Sequence, residues 1–151
     1  MVAKTQKPLT DLSTWKETDK AYLAAFLDTD GHLSVTVDGK RGVKSPFICF
    51  TNSHKETIDF AAFLTHHPVY TRLSVAGIKI FTVRVNRTAD VKSILSALLP
   101  YIKGKRAQAM TIIELCQKRI EGLKITPDEV RSLRDLNAVH NSNVNRQRKY
   151  Y

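Results

Sequence analysis

Residues 23 to 31 read Leu-Ala-Ala-Phe-Leu-Asp-Thr-Asp-Gly, an apolar helical stretch that runs into two acids and a glycine. Leu23, Phe26 and Leu27 recur at helical spacing, and Ala24 and Ala25 are small enough to let a second backbone come close. Gly31 is expected to end the helix in the left-handed conformation, which glycine enters without a Cβ penalty. Asp30 then stands at a helix C-terminus, where the macrodipole is negative and an ionised acid is disfavoured. A cation at that point removes the conflict.

Beyond this helix the chain reads as two hairpins separated by a helix. His32 to Asp38 alternates polar and apolar, the period of a strand with one wet face, and Leu33, Val35 and Val37 fall on the inner side. After the turn Asp38-Gly39-Lys40-Arg41-Gly42, a second strand is expected from about Ser45 to Asn52, with Ile48 and Phe50 inward. Ser53 to Leu64 fits a helix, with Ser53 as a cap and Ile58, Phe60, Phe63 and Leu64 on its apolar side. Val69 to Val75 and Ile78 to Asn86 form a second hairpin about Ala76-Gly77, with Phe81, Val83 and Val85 inward. Helices follow from roughly Ala89 to Leu99 and from Lys105 to Glu121. Thr126-Pro127-Asp128-Glu129 starts a last one, with proline at the first helical position and acids in the first turn.

Composition agrees with a polyanionic partner, although charge alone reads equally well as that of an ordinary basic protein. Twenty-four Lys and Arg against 14 Asp and Glu give a formal charge of +10 over 151 residues, which attracts nucleic acid at long range and makes binding fall with salt. Length and 42% apolar content suffice for one domain with a sizeable core. An apolar run of about 18 residues and a charged-then-apolar leader are both absent, so an intracellular chain without a membrane span is expected. Cys49 and Cys116 are then expected as reduced thiols. His66, His67 and Pro68 read as a loop, and no Cys/His spacing suggests zinc.

The stretch from Leu23 to Gly31 resembles the signature helix of the LAGLIDADG homing endonucleases: leucine first, acids in the sixth and eighth places, glycine last. Ala25 stands third, where that family usually has glycine. Pro-Tyr-Ile-Lys-Gly-Lys-Arg-Ala-Gln-Ala, from Pro100 to Ala109, resembles a second family segment, and the resemblance spans residues 21–122. It implies an α+β fold of order αββαββα, a curved four-stranded antiparallel sheet that forms a DNA saddle, with helices packed on its other face and C-terminal helices added. An arm over residues 1–20 and a helical extension over 123–151 flank this core.

The resemblance also implies a site. Asp30 matches the family's metal-ligand acid and the carbonyl of Thr29 a second oxygen ligand, donors suited to Mg²⁺. Asp28 more often supports structure in that family. Asn52 closes an apolar-x-apolar-x-Asn strand end, where an amide can position the attacking water, although it also reads as a plain strand-end residue. Lys105 matches the active-site cation, and Lys103 a phosphate contact. Glu56 occupies a place where a basic residue sometimes follows the amide, which leaves Lys55 as a substitute.

On the saddle, His32, Ser34, Thr36 and Asp38 face outward, leading into Lys40 and Arg41. Phe47 and Cys49 on the second strand, Tyr70, Arg72 and Ser74 on the third, and Ile80, Thr82 and Arg84 on the fourth complete the DNA-facing set. Taken singly, each is also what a solvated sheet face carries.

One copy of the motif supplies one acid, so cutting both strands implies a homodimer through paired signature helices, with Leu23, Ala24, Ala25 and Leu27 at the interface. The implied function is that of an intron-encoded, Mg²⁺-dependent DNA endonuclease acting on double-stranded, roughly palindromic DNA, with no small-molecule substrate. Two other readings remain: a catalytically inactive nucleic-acid-binding protein of the same fold, an RNA maturase or a regulator, and a general basic RNA-binding domain, against which the lack of an aromatic-rich recognition strand speaks.

Overall fold

The computed structural model describes residues 8–42 and 44–148, with side chains as far as His140. Residues 1–7 of the expected N-terminal arm and 149–151 of the expected extension lie outside the described residues. Helix α1 (Glu17–Asp30) passes directly into β1 (Gly31–Val37), which pairs with β2 (Lys44–Asn52). Helix α2 (Lys55–Thr65) leads to the hairpin β3 (Val69–Leu73) and β4 (Lys79–Val85), and then to α3 (Thr88–Leu98), α4 (Arg106–Ile120) and α5 (Pro127–Arg148). The sheet is antiparallel throughout, in the order β1-β2-β4-β3. This is the αββαββα arrangement with one helix added.

The period-two pattern becomes a two-faced sheet. Leu33, Ile48 and Val85 share one cross-strand row and Phe50 and Val83 another, all buried, and the helices cover this face. Removing a leucine or phenylalanine side chain of that size from water contributes about 1.5–3 kcal/mol. Pro46 is tolerated within β2 because β4 pairs only with Ile48–Asn52, leaving one side of the strand unpaired at that point.

Several local expectations are corrected. Gly31 is not left-handed: its φ is −83° and ψ 164°, the first residue of a strand. Glycine stands there for space, because a Cβ would lie 2.6 Å from Leu27 Cα and 2.8 Å from its carbonyl oxygen. Val37, the last residue of β1, is exposed. Phe63 points away from the core, and Ala61 takes the buried place between Ile58 and Leu64. Ser53 does not cap α2, which begins after His54 and ends at His66 in the left-handed conformation, φ 56°.

Buried polar groups secure the remaining segments. Asp90, wholly buried, accepts from the backbone N–H groups of Leu9 (2.8 Å) and Thr10 (3.0 Å) and lies beside Arg87 and His67. Trp15 Nε1 donates to the Leu64 carbonyl at 3.0 Å. The start of α5, where the sequence signals a helix, closes a reciprocal cap, Thr126 N to Glu129 Oε1 at 3.0 Å and Glu129 N to Thr126 Oγ1 at 3.2 Å. Cys49 and Cys116 are free thiols, and burial pushes Cys116 up to about 12. Among the described residues no helix is long and apolar enough to cross a membrane.

Candidate functional site

The C-terminal tip of α1 gathers residues from three parts of the chain. Asp30 is exposed there, and Asn52 at the end of β2 donates from Nδ2 to Asp30 Oδ2 at 3.2 Å. The other end of the amide, Asn52 Oδ1, accepts from the His54 backbone at 2.8 Å, so the side chain is held at both ends. Lys105, only 7% exposed, donates from Nζ to the carbonyls of Leu27 (2.8 Å) and Gly31 (2.6 Å). These carbonyls flank Thr29 and Asp30, and an ammonium there answers the negative end of the helix. Burial holds the Lys105 ammonium below the usual lysine range, and the charges of Asp28 and Asp30 oppose that effect.

Asp28 has a different task. Its Oδ1 accepts from the Lys105 backbone N–H at 2.9 Å and its Oδ2 from that of Lys103 at 2.8 Å, so it ties the 103–105 loop to α1. Gly104 permits the approach: a Cβ there would lie 3.3 Å from His140 Cε1 and 3.7 Å from Asp28 Oδ1. Lys55 pairs with Asp59 on its own helix at 2.6 Å, both side chains being exposed.

The resemblance implies a divalent metal at this helix tip. Asp30 offers an exposed carboxylate, and the neighbouring Thr29 carbonyl is another hard oxygen. Among the described residues no group of three or more His, Cys, Asp or Glu could hold an ion. One chain therefore offers a single exposed acid here, which fits a hard cation whose other oxygens come from water, substrate phosphate or a second copy.

The sheet surface opposite the helices carries most of the expected outward residues. His32, Cys49 and Arg84 lie in one cross-strand row, Ser34 and Phe47 in another, and Thr51, Thr82 and Tyr70 in a third, with Arg72 opposite Ile80. Cys49, Thr51, Tyr70, Arg72, Thr82 and Arg84 line a shallow groove there. Thr51 belongs to this face but escaped sequence reading, although its even spacing from Cys49 signals it. His32, exposed on this surface, is held below the usual histidine range by partial desolvation of its ring, then by Lys105 and Arg84.

Three expected placements change. Asp38 lies beyond β1, and its Oδ1 accepts from Lys40 N (2.9 Å) and Arg41 N (3.3 Å), so it builds the turn that presents these cations. Ser74 lies beyond β3 and pins its hairpin turn, its Oγ accepting from Ile78 N at 3.1 Å. Leu23, Ala24 and Leu27, expected at a dimer interface, are wholly buried in the protomer's own core. The exposed face of α1 is instead Thr18, Ala21, Tyr22, Ala25 and Thr29, at intervals of three and four residues. Asn137 of α5 was also missed: its Nδ2 donates to the Leu33 carbonyl of edge strand β1 at 2.9 Å, a contact between residues too distant for any local signal.

No protein-family model and no curated protein sequence matches the chain. Solved structures do. The homing endonuclease I-CvuI, in complex with DNA in the presence of Mg, is 23% identical with a TM-score of 0.54, covering 68% of each chain. The archaeal intron-encoded homing endonuclease I-Vdi141I, complexed with DNA, gives a TM-score of 0.60 at 14% identity, over 83% of this chain and 84% of that one. The LAGLIDADG homing endonuclease I-LtrWI, bound to target DNA, gives 0.61 at 12% identity, over 82% of this chain but 44% of its own. The class is thus an α+β domain with one exposed sheet face. More particularly, the chain has the LAGLIDADG homing-endonuclease fold.

Proposed function

We propose that the protein is a site-specific DNA endonuclease that acts as a homodimer and requires a divalent metal, Mg²⁺ by preference. The observation that carries this reading is the convergence at one helix tip of an exposed carboxylate, Asp30, an amide fixed to it, Asn52, and a buried cation, Lys105. A structural role alone accounts for Asp28 but leaves Asp30 exposed at a negative helix end. The fold shared with DNA-bound homing endonucleases and the charge of +10 support DNA as the partner.

The reaction is hydrolysis of a phosphodiester. A water oxygen bonds to phosphorus as the bond to the 3′ oxygen breaks; the water releases a proton, and the 3′ oxygen leaves as a hydroxyl after taking one from solvent. Bound Mg²⁺ supplies a polarised phosphate and a more acidic water. Asp30 and the Thr29 carbonyl would hold it, and Asn52 orients Asp30 and lies beside the solvent around it. Lys105 is a positioning residue, holding the last turn of α1 and placing a positive charge beside Asp30.

Two such centres are needed for a double-strand break. The exposed α1 face with Ala21 and Ala25 supports pairing with a second copy, and matching 44% of I-LtrWI supports a unit that is one half of a larger assembly. The target is then roughly palindromic. Selection of cleaved sites from a random DNA library, with Mg²⁺ and again with chelator, tests the reading. Bound but uncut DNA under both conditions would favour the inactive nucleic-acid-binding alternative.

A further inference from the structure

We propose that Arg84 reads DNA from the first hairpin rather than the second, as one coupled unit with Phe47 and Thr36, which act as positioning residues for its guanidinium. The proposal rests on the endonuclease reading above and extends it to how one base pair is specified.

Arg84 belongs to β4, opposite Cys49 of β2. Its side chain does not stand over its own strand. It crosses β2, where Cζ lies 3.8 Å from the centroid of the Phe47 ring, and reaches β1, where Nη2 donates to Thr36 Oγ1. Phe47 is two residues from Cys49, so ring and arginine are diagonal neighbours on the same sheet face, close enough for long side chains to meet. The ring also takes the edge of His32, with centroids 5.8 Å apart.

This arrangement has a physical logic. A free arginine side chain loses rotamer entropy when it binds a base, whereas one already seated on an aromatic face and bonded to a hydroxyl has lost it beforehand. A guanidinium has five N–H donors, and one goes to Thr36. The remaining donors suit the two acceptors that guanine presents in the major groove. Phe47 is therefore a platform, and its ring face is occupied by the cation instead of being open to a thymine methyl. Because Phe47 and Thr36, from two other strands, hold the Arg84 guanidinium, discrimination at its base pair is shared among the three residues and is not additive.

Two measurements on the full-length chain test this. In the protein alone, NMR of the ¹⁵N-labelled guanidinium should show Arg84 signals shifted by the Phe47 ring current, and Phe47→Leu should abolish that shift while Phe47→Tyr keeps it. On DNA, a profile over all single-base variants of the selected target should show Arg84→Ala relaxing one symmetric pair of positions by about 10-fold or more. Phe47→Leu should relax that same pair by about 2- to 5-fold, the factor associated with an exposed cation over a ring. The double variant should be no worse than Arg84→Ala. Absence of the ring-current shift overturns the coupling whatever the DNA result. Relaxation by Phe47→Leu at a different base pair, or additive losses, overturns it in favour of a ring that touches DNA directly. An intact ring-current shift in a chain that selects no sequence overturns the endonuclease reading, and Arg84 as a reader with it.

Discussion

The side-chain amide of Asn52 donates to the carboxylate of Asp30 at 3.2 Å, joining the end of β2 to the end of α1 across 22 residues of sequence. The contact leaves the second carboxylate oxygen of Asp30 to other partners and fixes the direction in which it points. It makes these two residues one unit, and their substitutions differ in what they remove.

Asp30→Asn removes the charge needed for a divalent ion while keeping the shape of the side chain and the basic surface. Cleavage is expected to vanish in a Mg²⁺ assay, and binding in a gel-shift assay to stay within a few-fold of the native chain. Asn52→Ala should slow cleavage with a smaller effect on binding. Full nicking by Asp30→Asn would sink the metal assignment.

Lys105→Met should affect stability as well as rate. The substitution removes donors from the carbonyls of Leu27 and Gly31 in a largely buried place, at a cost of about 1–3 kcal/mol. A urea midpoint shift of that size, together with slower cutting, is the expected pair of results. An unchanged midpoint would mean that water replaces the ammonium freely.

His32 provides a test in pH. Its folded value lies below the ordinary 6.5, chiefly through partial desolvation of its ring and then through Lys105 and Arg84. The unfolded chain therefore binds this proton more readily. The contribution of His32 to stability is complete above its unfolded value and is lost as pH falls through the folded one. NMR titration should give a midpoint below 6.5, and Arg84→Ala should raise it. His32→Ala should flatten the acid loss of stability in that window; an unchanged profile would assign the loss to other groups.

The two alanines of α1 should separate. Ala24 is wholly buried, so Ala24→Ile overpacks the protomer core by about 1–3 kcal/mol and should lower thermal stability at any concentration. Ala25 is exposed, so Ala25→Ile should leave the protomer folded and weaken the dimer. Sedimentation across a concentration series reads the difference. A native chain that sediments as a monomer yet cuts both strands efficiently would refute the dimer.

Arg72 and Lys103 divide specificity from charge. Arg72 lies on the outer sheet face opposite Ile80, and Arg72→Ala should relax one symmetric base-pair position by about 1–3 kcal/mol. Exposed Lys103 should meet phosphate, and its loss should lower affinity for all sequences alike and flatten the salt slope by about one unit per site. Uniform loss from Arg72→Ala would mean that the arginine meets phosphate as well.

By itself the sequence determined the order of elements and the two faces of the sheet. Alternation in His32–Val37 and in Ile48–Asn52 is a local property, and a strand has only two sides on which to place it. The acid-acid-glycine end of α1 and the start of α5 were legible for the same reason, since caps and turns are set by residues a few positions apart. The tertiary structure decided what those residues touch. Gly31 is glycine because Leu27 lies against it, not because its backbone turns left-handed. Leu23, Ala24 and Leu27 have a helical pattern that fits either a core or a partner, and only packing against the sheet and α3 commits them to the core, leaving Ala25 outside. Arg84 belongs by sequence to the second hairpin, yet the cation is seated on Phe47 and Thr36 of the first. A side chain that long can settle across a neighbouring strand, and its end point depends on contacts between residues remote in the chain, which no local pattern records.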